Sequence, residues 1–136
     1  MAKTRGFELA ELVRGITFDV GNDKIVTTRS ITTRDMTSGG STTTATTEVA
    51  LDTFAKASYR TARYIVSMFS GSDFHSTEIV VVHDGSAVTL TQYGTMKSTN
   101  LADIDADIVG ANVRLLVTPA SGTSTVIKFD RTTVDA

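Results

Sequence analysis

The sequence has no cysteine, no tryptophan and a single proline, Pro119. Without thiols there is neither a disulfide framework nor a thiolate metal site, and cysteine usage says nothing about the redox compartment. Neither sign of charge dominates: thirteen Lys and Arg stand against fifteen Asp and Glu, a formal net charge of -2. That balance argues against a duplex-binding surface, which draws its affinity from phosphate neutralisation, and nucleic acid is not an expected partner. Long apolar runs are missing too. No stretch approaches the roughly 20 apolar residues of a membrane span, and the start, MAKTRGFELAELVRG, lacks the apolar h-region of a secretory signal. The expectation is a chain that is neither exported by a visible signal nor inserted in a bilayer.

Threonine is plentiful, at about one residue in six. Its branched side chain restricts the backbone and suits a pleated, half-buried surface, so the bias favours β structure. At 136 residues the chain has the length of one domain and can bury a core without covalent staples.

The first third reads differently from the rest. FELAELVR places Phe7, Leu9, Leu12 and Val13 at roughly helical spacing, enough for two turns that need a surface to dock on. GITFDVGNDKIVTT alternates Ile16, Phe18 and Val20 around Gly21-Asn22-Asp23, a small hairpin or an extended arm. From Thr27 to Thr47 the residues are mostly Thr, Ser, Gly and Arg, with Ile31, Met36 and Ala45 as the apolar anchors. Such a stretch buries too little to offset its own ordering entropy. It reads as a flexible linker, or as an arm that becomes a strand when another subunit covers it. Residues 1–47 are therefore expected to form an N-terminal arm, with Ile16, Phe18, Val20 and Ile25 as its assembly residues.

Residues 48–136 read as a compact all-β domain, an antiparallel sandwich or small barrel. EVAL is a short strand, and DTFAKAS a capped turn with Asp52 or Thr53 as N-cap. YRTARYIVSMF is a strand with Tyr64, Val66 and Met68 on one face and Arg63, Ile65, Ser67 and Phe69 on the other. SGSDFHS is a loop by composition. In VVHDGSAVTLTQYG, Asp84-Gly85 reads as a two-residue type I′ hairpin turn, pairing His83 with Ser86. Val81 then faces Val88 and Ile79 faces Leu90 on an apolar face, while Val80, Val82 and Glu78 lie on a mixed one. A strand apolar on both faces is normally covered on both, so Val80 and Val82 are expected at an interface with another sheet, the arm or a neighbouring subunit. LADIDADIVGAN, VRLLVTP and STVIKFDR supply three further strands.

Several groups invite a chemical reading. Ser86, His83 and Asp84 contain the parts of a hydrolytic triad, but consecutive strand and turn residues point apart. His83 is expected to pack at the shoulder of the turn, and His75 to lie in a loop, with no third ligand at a metal-like spacing. Asp103, Asp105 and Asp107 alternate with apolar residues, which puts them on one face of a strand, where like charges suit an edge; a calcium loop would need a central glycine and a closing bidentate Glu. Tyr59, Tyr64, Phe69, Phe74, Tyr93 and Phe129 read as core aromatics more readily than as a sugar platform. Arg60 and Arg63 read as partners for carboxylates such as Asp52 or Glu78. No phosphate-cradling glycine loop is present. No catalytic, metal or cofactor site is expected.

The stretches DTFAKASYRTARYIVSMFSGSDFHSTEIVVVHDGSAVTLTQYG and NVRLLVTPASGTSTVIKFDRT resemble a β-rich module of virion structural proteins of tailed phages, especially tail-fibre and particle-surface proteins of marine and cyanobacterial phages. The matching features are the YRTARY strand, the HDG corner, the YG dipeptide, the NVRLL.TP strand and the final KF.RT, over about residues 52–133. These are turn and strand motifs, which mark architecture rather than activity. The resemblance implies a non-enzymatic virion protein made in the host cytoplasm. The chain is short and lacks shaft repeats, which favours an accessory subunit: a capsid decoration or cement protein, a tail adaptor or a short fibre. The implied partners are other virion proteins and further copies of the chain, a trimer by analogy. A carbohydrate- or host-receptor-binding β module is the alternative function, with a host-surface glycan as its ligand.

Overall fold

A computed structural model describes the backbone of residues 16–19, 24–27 and 34–136, with side chains from Met36 onward. The chain divides into two units, Met1–Thr32 and Thr33–Ala136. In the first, β1 (Ile16–Asp19) pairs antiparallel with β2 (Lys24–Thr27), and Phe18 stands opposite Ile25. The expected hairpin is therefore present. The helix expected over FELAELVR, and Val20, lie outside the described residues.

The second unit is a sandwich of two antiparallel sheets. A five-stranded sheet has the order β3-β10-β5-β6-β7 and a three-stranded sheet the order β4-β9-β8. The strands are β3 (Arg34–Thr43), β4 (Val49–Ala55), β5 (Tyr59–Ser70), β6 (Asp73–His83), β7 (Val88–Lys97), β8 (Ala102–Val109), β9 (Asn112–Pro119) and β10 (Thr125–Asp135). The sheets do not close into a barrel. Period-two alternation sets which side chains face inward: Tyr64, Val66 and Met68 of β5, Ile79 and Val81 of β6, and Ile127 and Phe129 of β10 meet Phe54, Val113, Leu115 and Val117 of the smaller sheet. The face division read from YRTARYIVSMF is the one observed.

Four local expectations are corrected. Residues 34–43, placed in the arm by composition, form β3, paired over ten positions with β10. A segment with few apolar side chains orders here because β10 supplies its hydrogen-bond partners and the Phe129 ring covers Gly39. Residues 52–55, expected in a capped turn, belong to β4, and a bulge between Ala50 and Asp52 turns the Asp52 side chain toward the core. The loop expected over residues 70–76 shrinks to Gly71-Ser72, since Ser70 pairs with Asp73; Gly71 takes φ 60, which only glycine adopts without strain. His75 is accordingly a strand residue.

The hairpin between β6 and β7 is shifted by two residues. His83 pairs with Val88, Val81 with Leu90 and Ile79 with Gln92. The central residues are Gly85-Ser86 rather than Asp84-Gly85, with the Asp84 N–H donating to the Ala87 carbonyl at 3.1 Å. Gly85, at φ 99, takes the first central position, where type II′ hairpins place glycine. The Asp84 carboxylate explains the shift: its Oδ1 accepts from the amides of both Ser86 and Ala87 at 2.7 Å. A two-residue shift preserves side-chain parity, so Ile79 and Val81 still face inward. The hairpin also continues past the YG dipeptide. Gly94, at φ 60, marks a bulge beside the register shift between Ser76 and Glu78, and β7 runs on to Lys97.

Candidate functional site: the uncovered face of the larger sheet

The smaller sheet covers one face of the larger. On the opposite face, the strand registers place side chains in rows. Val126, Phe69 and Phe74 form one row; Lys128, Ser67, Ser76 and Met96 the next; then Asp130, Ile65, Glu78 and Tyr93. Beyond them come Thr132, Arg63, Val80 and Thr91, and then Val134, Thr61, Val82 and Thr89. Many of the apolar members are open to solvent: Ile65 is 50% exposed, Phe69 52%, Phe74 47%, Val82 42% and Tyr93 40%. A folded monomer has no internal reason to place two phenylalanines side by side in water.

The interface strand expected at Val80 and Val82 lies on this face, Val80 half-buried and Val82 exposed. Within the second unit no other sheet covers it. Arg63 and Glu78 form the ion pair foreseen for them at 2.6 Å in the middle of the face, and the guanidinium hydrogen bond holds the Glu78 carboxyl below its ordinary range. The pair is solvent-exposed, so it orients the surface more than it stabilises the fold.

The candidate chemical residues do not converge. His83 Nδ1 lies 3.1 Å from the Gly85 amide, which can only donate, so Nδ1 accepts. Nε2 then carries the proton and donates to the Tyr59 carbonyl at 2.7 Å. Both nitrogens, like the Asp84 carboxylate, are taken by backbone groups, and the ring packs 6.3 Å from Phe54. The triad on paper is a turn-stabilising network.

The three aspartates of β8 do lie along an edge strand. Asp107 takes a two-pronged hydrogen bond from Arg114 across the strand pair, which lowers its pKa; Asp103 accepts from Asn100 and Asp105 from the Ala106 amide. Among the described residues no group of three or more His, Cys, Asp or Glu is placed to hold a metal. Arg60 donates to the His83 carbonyl at 3.3 Å rather than to a carboxylate.

Two polar features went unread in the sequence. Asp52 pairs not with Arg60 or Arg63 but with Arg131, at 2.6 Å, between the two sheets. Tyr64 Oη donates to the same carboxylate oxygen at 2.8 Å, and burial together with that neighbouring negative charge pushes the phenol pKa upward. The parity of Ile127, Phe129, Arg131 and Thr133 was the available signal, because it sets Arg131 on the core face. The second feature is His75, which is 1% exposed. Its Nδ1 accepts from the Leu101 amide at 3.4 Å, and Nε2 has no partner among the described residues.

His75 carries a pH prediction. Burial, and secondarily the charge of Lys97, lower its pKa from the ordinary 6.5, against a smaller upward effect of Asp103. Below pH 6.5 the unfolded chain binds a proton that the native state still refuses, so unfolding takes up protons and stability falls as the pH drops toward the lowered native value. Above 6.5 this contribution is complete. Urea unfolding between pH 7 and 5 is expected to show this loss, and His75→Gln to flatten it. An unchanged slope in the variant would assign the loss to other groups.

No protein-family model and no curated protein matches the sequence. Solved structures that match part of the chain include two phage tailspike proteins. One is the tailspike protein of Acinetobacter phage vB_ApiP_P1, with a TM-score of 0.42 and 20% identity over 82% of this chain and 23% of the tailspike. The other is the tailspike protein of Acinetobacter baumannii phage AM24, with a TM-score of 0.39 and 10% identity over 74% of this chain and 26% of that one. The chain spans about a quarter of the length of each tailspike.

Proposed function

We propose that the chain is a structural subunit of a phage virion, acting mechanically rather than as an enzyme, and that it docks on other virion proteins through the uncovered face of its five-stranded sheet. The observation that carries this reading is the exposed pair Phe69 and Phe74 beside half-buried Val126 in one row, with Met96, Ile65 and Tyr93 in the next two rows. Apolar side chains in this density, with Lys128, Asp130, Arg63 and Glu78 set among them, have the make-up of a protein interface that mixes apolar and charged groups. The motifs of residues 52–133 supply the class of particle. The arm residues Ile16, Phe18, Val20 and Ile25 add a second attachment on a neighbouring subunit, and many copies on one particle reinforce each other by avidity. The role is that of an accessory subunit, a capsid decoration protein or a tail adaptor.

An antibody against the full chain is expected to label intact phage particles at one fixed structural position in negative-stain micrographs. The Phe69→Ser/Phe74→Ser double variant should fold with an unchanged thermal midpoint, since both rings already face solvent. Its incorporation into particles should drop about tenfold or more, the consequence of losing two anchors at a protein interface. Label found only in the soluble lysate, or equal incorporation of the variant, would reject the reading. Glycan binding abolished by the same two substitutions would support a carbohydrate-binding module instead.

A further inference from the structure

The two sheets end in four strand edges: β3 and β7 in the larger, β4 and β8 in the smaller. Exposed edges offer unpaired backbone groups to any passing chain, and proteins blunt them with bulges, charges or proline. Three of the four are blunted. The bulge between Ala50 and Asp52 distorts β4. Gly94 and its register irregularity distort β7. The acidic side chains of Asp103, Asp105 and Asp107 mark β8.

β3 has no such device over residues 36–43. Its ten pairs with β10 run without a register shift. The segment MTSGGSTT contains no charge and no proline, and neither of its glycines adopts positive φ. Within the second unit no described strand pairs with the outer side of residues 37–43.

From this contrast we propose that β3 is a self-association edge, paired antiparallel with β3 of a second copy of the chain. The side chains favour this occupant over an unrelated peptide. Strand addition of a foreign peptide takes its specificity from pockets that read alternate side chains, whereas the centre of β3 presents two glycines and short hydroxyls. Self-pairing needs no pocket. It sets Ser and Thr of one copy opposite Ser, Thr or Gly of the other, so that the hydroxyl pairs hydrogen-bond across strands while glycine opposes nothing, and it opposes no like charges over residues 37–43. The two-fold relating antiparallel strands stands perpendicular to the sheet, which is the closed, isologous arrangement commonest among oligomers. It would join two five-stranded sheets into one ten-stranded sheet with both uncovered faces on the same side. The inference does not depend on a virion role, though it would double the docking surface proposed above.

The absence of native cysteine makes the test direct. Single variants Met36→Cys, Ser38→Cys, Ser41→Cys and Thr43→Cys in the full chain are oxidised and run on non-reducing gels, with Ile65→Cys and Val82→Cys as controls on the sheet face. Disulfide dimer is expected to peak at one β3 position, nearest the two-fold, to fall away on either side, and to be lost in both controls. The Ser41→Lys/Thr42→Lys variant should sediment as a monomer under conditions in which the unmodified chain is a dimer, with its thermal midpoint retained. Cross-linking through Ile65→Cys instead of β3, or a trimer without β3 cross-links, would overturn the proposal in favour of face packing. A monomer would also overturn it. Shielded β3 thiols would then mean that the chain's own leading residues take the edge, and reactive thiols that nothing does.

Discussion

Removing Asp52 alone, or Arg131 alone, is expected to lower the unfolding free energy by about 3–5 kcal/mol, while replacing both with apolar residues restores most of it. The two side chains are 12% and 7% exposed, and Arg131 Nη1 lies 2.6 Å from Asp52 Oδ2. Arg131 also donates to Thr37 Oγ1 at 3.2 Å and stands over the Phe54 ring at 5.6 Å. Asp52→Ala leaves a guanidinium in the core without its counter-charge and the Tyr64 hydroxyl without its acceptor. Arg131→Met leaves the carboxylate with only the phenol. A buried pair gains little over well-packed apolar groups because desolvation offsets the attraction. Made on Tyr64→Phe, so that no buried hydroxyl is left without its acceptor, the Asp52→Leu/Arg131→Met double variant should therefore fall within about 1.5 kcal/mol of its parent. Urea denaturation at pH 7 measures each form. Single losses that add up in the double variant would show that the partners act independently and that no buried pair joins the sheets.

The same cluster shows where sequence reasoning stopped. Alternation assigns the faces of β5 and β6 correctly, because a strand buried on one side leaves a period-two record in its own residues. The edge position of the three aspartates is legible for the same reason. Asp52 is not legible as a core residue, because the bulge that turns it inward depends on β9 and leaves no local mark. The hairpin turn fails differently. Asp-Gly is a strong type I′ signal, but the Asp84 side chain captures two amides and moves the central pair one residue onward. Parity survives the shift, so the face assignment is right although the register is not.

The uncovered face was half legible. Val80 and Val82 point to it through the apolar excess of β6, and alternation sets Phe69 beside Ile65 on the outer side of β5. As aromatics, however, Phe69, Phe74 and Tyr93 read as core residues and are instead 52%, 47% and 40% exposed. Phe74 lies just past the β5–β6 turn. There, glycine and serine suggest a longer loop than the two residues the turn uses. Residues 34–43 escape for a third reason. Their own side chains bury little, and what orders them belongs to β10, ninety residues later in the chain. A count of apolar residues along a segment cannot register a partner's aromatic ring.

That ring supplies the second large effect. Phe129 is buried, meets Tyr64 edge-on with centroids 5.8 Å apart, and lies over Gly39 so closely that a β-carbon there would stand 2.7 Å from its Cζ. Phe129→Ala should cost about 3–5 kcal/mol, the range for deleting a buried aromatic side chain. Gly39→Ala should cost about 1–3 kcal/mol, because the ring has to leave its place in the core. Combined, the two should not add. With the ring gone, the new methyl group meets no obstacle, and alanine restricts the unfolded chain more than glycine does. Gly39→Ala should then stabilise the Phe129→Ala protein by about 0.4–1 kcal/mol, a reversal of sign. Gly40→Ala is the contrast, since its β-carbon would fall 2.4 Å from the Ile127 carbonyl oxygen, a backbone atom that no side-chain deletion removes. It should destabilise both backgrounds alike. Equal costs of Gly39→Ala with and without the ring would mean that β3 is held by its hydrogen bonds to β10 alone, and that Phe129 does not govern how closely the edge strand docks.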